Sequence, residues 1–581
     1  MPPSRLICRA HNRFTPSIAL WQHFVLPNRP SPHQQRLSSS PPRALQHDAD
    51  SDGASPNSHL ADSSQPLEAG VDKTEKQSHK PHKPHKPSAE PASRVRRIKA
   101  TRGQWLPSKA KASIAKNIRL QEEVSKASLA ETDKLLANAR DAFKRGLDYT
   151  GVILKPMMNV TPVKESALPW CLHAQYKDMS GIERLKMEIE RFYHYTRPST
   201  HEQIARSYVI DEVRDHVRKT FREYDVEVFG SERTGLALAT SDIDFRLLRP
   251  LQTSDPVKAI FPPPTEERNA GKTALYTLLK RLRERQGLFL LPKLLHARYP
   301  LISAQHEPSG LDIQVVLAND TLLSRVVMQD YMDEYPYLQS LHCIIKVIFD
   351  VRGLSDPYLG GFGSYSLFMM VVASIKHSPQ PINNAAEGLV HFLTFWGKFD
   401  TRKHGISIEP TFLFDKAKHA VVTDTTKSKL KKGENKPLPS YMLSLRDPAD
   451  ETNDLGRKAI IIKHVQTTLK ALSHQLDKDV RMNTRHSLLG PMAGTSYMIS
   501  FARRKKLRTY GKETLDRIHA SLHKKAKAVR DGHSLEPERY QPELKTRMED
   551  DETMVRLAKE HRDKEWQRLA EERKAQEWLE T

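Results

Sequence analysis

Cysteine is scarce in this chain of 581 residues: there are three, Cys8, Cys171 and Cys343, all far apart. No Cys-x-x-Cys pair occurs, which argues against a disulfide framework and a cysteine-based zinc site. Long apolar runs are also missing. None reaches the roughly 18 residues that a membrane-spanning helix needs, so the chain reads as soluble. Only 38% of residues are hydrophobic, low for a chain folded throughout, so part of it is expected to be disordered. Acidic residues are in deficit: 70 Asp and Glu stand against 92 Lys and Arg, a net of +22. A surplus that large calls for a polyanionic partner or for basic tails.

These shortages are unevenly spread. Residues 1–47 hold six Arg (Arg5, Arg9, Arg13, Arg29, Arg36, Arg43) and no Lys, Asp or Glu. That composition suits a mitochondrial transit peptide, and a mitochondrial location is expected; a basic tail of a nuclear or cytoplasmic protein is the alternative. Residues 48–100 are rich in Ser, Pro, Asp and Lys and include the repeat His79-Lys80-Pro81 to His85-Lys86-Pro87. This stretch reads as a solvated linker, so 1–105 is taken as disordered. Residues 106–165 form a polar helical segment without a legible role. At the other end, 501–530 carry 11 Lys and Arg against 2 Asp and Glu, and 531–581 carry 10 against 15. The region 501–581 therefore reads as a charged helical tail, basic then acidic, its last 28 residues an exposed helix.

Between these flanks the pattern is that of an α+β protein. In 166–335, Ile204, Tyr208, Val213 and Val217 give a helix one apolar face. Asp225–Phe229 alternates as a strand should and stops at Gly230-Ser231; Asp242–Leu247 is a second strand. Segments 296–306 and 311–317, joined by Glu307-Pro308-Ser309-Gly310, predict a hairpin. From 336 to 500 the character is helical. Leu338, Leu341, Ile345 and Ile348 share a face, as do Leu389, Phe392, Leu393 and Trp396, and Ile461, Val465, Leu469 and Leu472. Residues 364–376 are apolar nearly all round, as in a buried helix. The stretch 416–440 has no period and reads as a surface loop.

The strongest chemical signal is Phe229-Gly230-Ser231, ten residues, then Asp242-Ile243-Asp244-Phe245. Two Asp at i and i+2 of a strand point to one face. Like charges held that close resist burial unless a cation neutralises them, and a hard divalent cation prefers oxygen ligands. Asp312, on a separate strand, completes a three-carboxylate set able to hold two metals about 4 Å apart. Asp-x-Asp alone is also common at solvated strand ends; the Gly-Ser strand end before it makes the pattern more specific. Gly230 lets backbone approach a phosphate, and Ser231 brings a hydroxyl donor.

This pattern resembles the DNA polymerase β nucleotidyltransferase superfamily. Tyr358-Leu359-Gly360-Gly361-Phe362-Gly363-Ser364-Tyr365 is similar to the glycine-rich helix start of non-canonical poly(A) polymerases and terminal uridylyltransferases. Asp447-Pro448, then Asn453-Asp454-Leu455-Gly456-Arg457, resembles their nucleotide recognition motif. The resemblance implies a palm domain with a mixed sheet and a helical nucleotide-recognition domain, and transfer of AMP from ATP to an RNA 3′ end. It implies Asp242, Asp244 and Asp312 as ligands of Mg²⁺ or Mn²⁺, with Asp312 as base for the RNA hydroxyl. It implies Gly230, Ser231, Lys346 and Ser364 at the triphosphate, Tyr365 stacked on the base and Asn453 near it. Asn319 and Thr321 stand near the place of a ribose-contacting pair. Uridylyl-preferring relatives often carry His where this chain has Asn453, which favours ATP over UTP. The alternatives are a uridylyltransferase and an inactive RNA-binding scaffold. Arg503-Arg504-Lys505-Lys506 and Lys524-Lys525-Lys527 are the expected grip on RNA phosphates.

Overall fold

A computed structural model describes residues 131–156, 163–171, 178–248, 265–285, 287–295, 300–317, 321–435, 437–493, 497, 501–531 and 552–580. The transit-peptide and linker stretches, the His-Lys-Pro repeat and Asn319 lie outside the described residues.

After a helical stretch at 131–145 come two helices, α1 (Gly181–Thr196) and α2 (Thr200–Thr220). Each is preceded by Ser-x-x-Glu. Glu183 Oε2 accepts from the Ser180 backbone N–H (3.1 Å), and Glu202 Oε2 from that of Ser199 (2.7 Å), satisfying donors that a helix start leaves open. The buried column of α2 is Glu202, Ala205, Arg206, Val209, Val213 and Val217. Ile204 and Tyr208, expected on that face, are half-buried beside it, because spacing by four from Val217 runs through Ala205.

Five strands follow: β1 (Asp225–Phe229), β2 (Ile243–Leu248), β3 (Phe289–Leu295), β4 (Leu301–His306) and β5 (Asp312–Val316). The one-turn helix α3 (Gly230–Arg233) separates β1 from β2, and α4 (Thr265–Glu284) precedes β3. Sheet order is β1-β2-β5-β4-β3, with β2 and β5 parallel and the other pairs antiparallel. The expected β4–β5 hairpin is present, and β3 and α4 are additions to the elements expected from sequence. Strand alternation sends Ile243, Phe245, Leu247, Ile313 and Val315 to one face, where they pack in a core with Val209 and Val213 of α2 and Leu275 and Leu278 of α4. The opposite face carries Asp244, Arg246 and Gln314, all buried.

The second half is helical: α5 (Leu322–Glu334), α6 (Leu338–Asp350), α7 (Ser364–Lys376) and α8 (Ala385–Lys398). The pair β6 (His404–Ser407) and β7 (Phe412–Asp415) comes next, then α9 (Asp424–Lys431), the hairpin β8 (Arg446–Asp447) and β9 (Asp450–Asp454), and α10 (Ile462–Met482). The three apolar stripes and the all-apolar α7 meet in one core. Segment 416–440, read as a loop, contains α9, started by Thr423 accepting from the Thr426 N–H. Residues 131–145 are helical, and Leu136 and Ala139 join the helical core.

Two long helices end the chain, α11 (Phe501–Arg530) and α12 (Glu552–Glu580). The first half of α11 lies on α2, with Leu507 and Tyr510 in the sheet-side core. Against expectation α12 is docked, not exposed: Ala558 packs with Leu322 and Val326 of α5, and Arg562 is buried. Among the described residues no helix is long and apolar enough to cross a membrane.

Candidate active site

The loop into β2 is fixed from behind. Arg206, 1% exposed, donates to the carbonyls of Ala239 (3.3 Å), Ser241 (2.6 Å) and Asp242 (3.3 Å) and pairs with Glu232. A guanidinium offers five donors in a rigid fork, so it can hold several backbone oxygens at once. Nothing in the motif itself names Arg206. Its signal is a charge standing in the apolar column of α2.

Asp242 and Asp244 are each 1% exposed. Gln314, the register partner of Asp244 on β5, donates to Asp242 Oδ2. Phe229 pairs with Asp244 across β1 and β2, so Gly230 turns away directly beside that carboxylate. Gly230 has φ +68°, and a Cβ there would collide with Asp244 Oδ2. Both the left-handed conformation and the close approach require glycine.

Asp312 opens β5 two residues before Gln314, and therefore on the same sheet face. Its Oδ1 accepts from Gln305 (3.0 Å) and its Oδ2 from Arg503 of α11 (2.8 Å). Among the described residues no group of three or more His, Cys, Asp or Glu is arranged to hold a metal ion. The three expected ligands share a sheet face, yet they are not gathered into one cluster; a guanidinium already neutralises the third. The donor chemistry fits a hard divalent cation best at Asp242 and Asp244, two buried carboxylates, one just before β2 and one inside it.

Lys346 of α6 is 1% exposed, and its ammonium makes no ion pair or hydrogen bond with a described residue. A buried cation without partners is costly, and an anionic ligand would relieve it. The neighbouring turns of α6 carry His342 and Asp350. His342 donates to the Ser364 carbonyl; burial, then the charge of Lys346, push its pKa down to about 3, so it is neutral. Asp350, bonded by Ser355, is pushed up to about 6 by burial, against the pull of Lys346. The Asp242 carboxylate adds to the rise. Ser364 is the first residue of α7, a 13-residue helix whose start favours an anion. Ser231 sits half-buried in α3, next to Gly230.

Tyr365, expected to stack on a base, is 4% exposed and belongs to the helical core. Its hydroxyl, not its ring face, meets the recognition hairpin: it donates to Asp447 Oδ1 (2.7 Å). Asn453 donates to Asp447 Oδ2 (2.8 Å) and the Ala449 N–H to Oδ1 (2.9 Å). Burial lifts the Asp447 carboxyl to about 7 despite these three donors. The basic clusters also divide. Arg503 serves Asp312, Arg504 is buried in an ion pair with Glu202 (2.8 Å), and Lys506 pairs with Glu307, so these are not an open phosphate grip. Lys524 and Lys527, on the far half of α11, are exposed.

Residues 185–325 match the model for the central palm domain of poly(A) RNA polymerase, mitochondrial-like, and 385–453 match that for Cid1 family poly A polymerase. Poly(A) RNA polymerase CID14 of Cryptococcus neoformans is 28% identical over 300 residues, 50% of this chain and 35% of that protein. Poly(A) RNA polymerase protein 2 of Saccharomyces cerevisiae is 25% identical over 313 residues, covering 51% and 48%. This chain thus spans less than half the length of either relative. The inactive non-canonical poly(A) RNA polymerase protein Trf4-2 of Drosophila melanogaster is 26% identical over 329 residues, covering 53% and 72%. The solved polymerase core of TRAMP, an RNA surveillance complex, aligns with a TM-score of 0.46 at 24% identity, covering 55% of this chain and 94% of that one. In segments 185–325 and 385–453 this chain is thus similar to poly(A) RNA polymerases and to the Cid1 family.

Proposed function

We propose that the protein is a template-independent RNA nucleotidyltransferase that transfers AMP from ATP to an RNA 3′-hydroxyl and releases pyrophosphate. The observation that carries the reading is the buried pair Asp242 and Asp244, together with the buried Lys346, which makes no ion pair or hydrogen bond with a described residue. Asp242 and Asp244 would hold Mg²⁺ or Mn²⁺, and Asp312 joins them when Arg503 lets go. The bound cation supplies charge stabilisation for the triphosphate. Lys346 and the start of α7 at Ser364 bind phosphate oxygens, and Gly230 and Ser231 give the triphosphate a close backbone approach and a hydroxyl. Asp312 accepts the proton of the 3′-hydroxyl as its oxygen attacks the α-phosphorus. Asn453, held by Asp447, faces the base and favours adenine. Such a site works by positioning and electrostatics, with no covalent enzyme intermediate. The composition of residues 1–47 supports a mitochondrial location, which a reporter fused to that segment tests.

Extension of an RNA primer by the full chain with each NTP, with and without Mg²⁺ and Mn²⁺, tests the reading. ATP-dependent extension is expected; UTP preference would make it a uridylyltransferase. One observation favours a second reading, a non-catalytic RNA-binding scaffold: the Arg503–Asp312 ion pair occupies the third carboxylate. RNA binding without extension by any NTP would establish that alternative.

A further inference from the structure

The recognition hairpin is a weak structure by itself. β8 has two residues and β9 five, and their pairing shifts register between Arg446 and Asp447. Two-stranded hairpins of this kind are marginal in water without packing from elsewhere. Besides Tyr365 of α7, the last helix supplies part of that packing. Trp566 of α12 donates its indole N–H to the carbonyl of Pro448 (2.9 Å), in the turn between β8 and β9. Arg568, one half-turn on, pairs with Glu451 of β9 (2.5 Å). The helix is itself anchored to α5: Lys559 pairs with Asp330 (3.0 Å), Arg562 pairs with the same carboxylate, and the Arg562 guanidinium lies 4.7 Å from the Trp566 ring centre. Further along, Arg573 sits 4.9 Å over the ring of Phe412 on β7.

We propose that α12 is a strap that positions the nucleotide-recognition hairpin, with Trp566 as its positioning residue. Pro448 follows Asp447 directly, and Asp447 ties Asn453 to Tyr365. A displacement of the Pro448 carbonyl therefore moves the whole group that faces the base. The strap lies outside both family-matched segments, 185–325 and 385–453. Part of its charge pattern, read from sequence as that of an exposed helix, is spent on Asp330 and Glu451.

The proposal rests on the nucleotidyltransferase reading for its kinetic consequence, and the test keeps the two apart. In the full chain, Trp566→Phe keeps an aromatic ring and loses the N–H donor; Trp566→Ala loses both. Nucleotide KM is expected to rise roughly three- to tenfold in Trp566→Phe, the worth of one hydrogen bond, with kcat within about twofold. Arg568→Glu should raise KM, and adding Glu451→Arg should restore it. Amide exchange over 446–454, measured on the full chain without substrate, should quicken in Trp566→Ala while exchange in α7 is unchanged. Unchanged exchange in the hairpin overturns the strap whether or not the enzyme turns over. Unaltered KM in both Trp566 variants of an active enzyme overturns it too, as does a parallel fall of kcat, melting temperature and α7 protection. A wild-type chain that extends no primer but shows the exchange effect would overturn the catalytic reading alone.

Discussion

The sheet face with Asp242 and Asp244 and the hairpin with Asp447 and Asn453 solve the same problem, holding polar groups still at a site, in opposite ways. On the sheet, strand neighbours do the work. Register places Gln314 beside Asp244 and Gly230 beyond Phe229, and Arg206 secures the loop from below. In the hairpin, two short strands depend on residues far away in sequence, Tyr365 from α7 and Trp566 from α12. A site built into a sheet should be rigid and intolerant. A site held by remote anchors should be adjustable, and small changes there should show as altered affinity.

The sharpest way to break this comparison is at the sheet. Asp242→Ala or Asp244→Ala should cut primer extension by roughly a thousandfold or more, as expected when the groups that organise the transition-state charge are removed. RNA binding, measured by filter retention, should stay within about twofold if the grip is separate from the chemistry. Next comes Arg206→Met. It leaves Glu232 and three carbonyls without their donor, and the loss should be about 3 kcal/mol, the scale of breaking a buried pair, read by urea unfolding. Gly230→Ala should fold but lose about a hundredfold in kcat, because the new Cβ displaces the Asp244 carboxylate.

Arg503→Gln sharpens the comparison from another side. With the guanidinium gone, Asp312 is an uncompensated carboxylate on the sheet face. Mn²⁺ affinity of the full chain, followed by electron paramagnetic resonance, should rise roughly tenfold, as expected when an opposing charge is removed near a cation site. Unchanged affinity would mean that Asp312 takes no part in holding the cation.

The smallest effect belongs to the hairpin and depends on pH. Burial raises the Asp447 carboxyl from 3.8 to about 7, so between those values the folded chain holds a proton that the unfolded chain has released. The stability from this group is fully present below about pH 3.8 and is lost as pH rises through about 7. Asp447→Asn should therefore flatten the fall of melting temperature between pH 5 and pH 8 relative to wild type. An equal slope in both would place the titration elsewhere, on Glu188 (raised by burial to about 7) or Asp454 (to about 6).

What could be read from sequence follows the same division. The strand ends at Gly230, the Asp-x-Asp spacing and the apolar stripes are local, so alternation and helical period expose them. Arg206, Arg503 and Trp566 acquire meaning from partners 26 to 191 residues away, and no local pattern carries that information. The basic run 503–506 shows the cost: read as phosphate contacts, it is largely spent inside the fold on Asp312, Glu202 and Glu307. Tyr365 shows another limit, because the glycine-rich helix start places the residue while burial decides which part of it is available.

Primer extension by the full chain, wild type against Asp242→Asn with Asp244→Asn, tests the central claim most directly. The account predicts ATP-dependent extension in the presence of Mg²⁺ or Mn²⁺ by the wild type and none by the double variant, whose shape and hydrogen bonds are retained while its charge is not. Extension that survives in the double variant would contradict it.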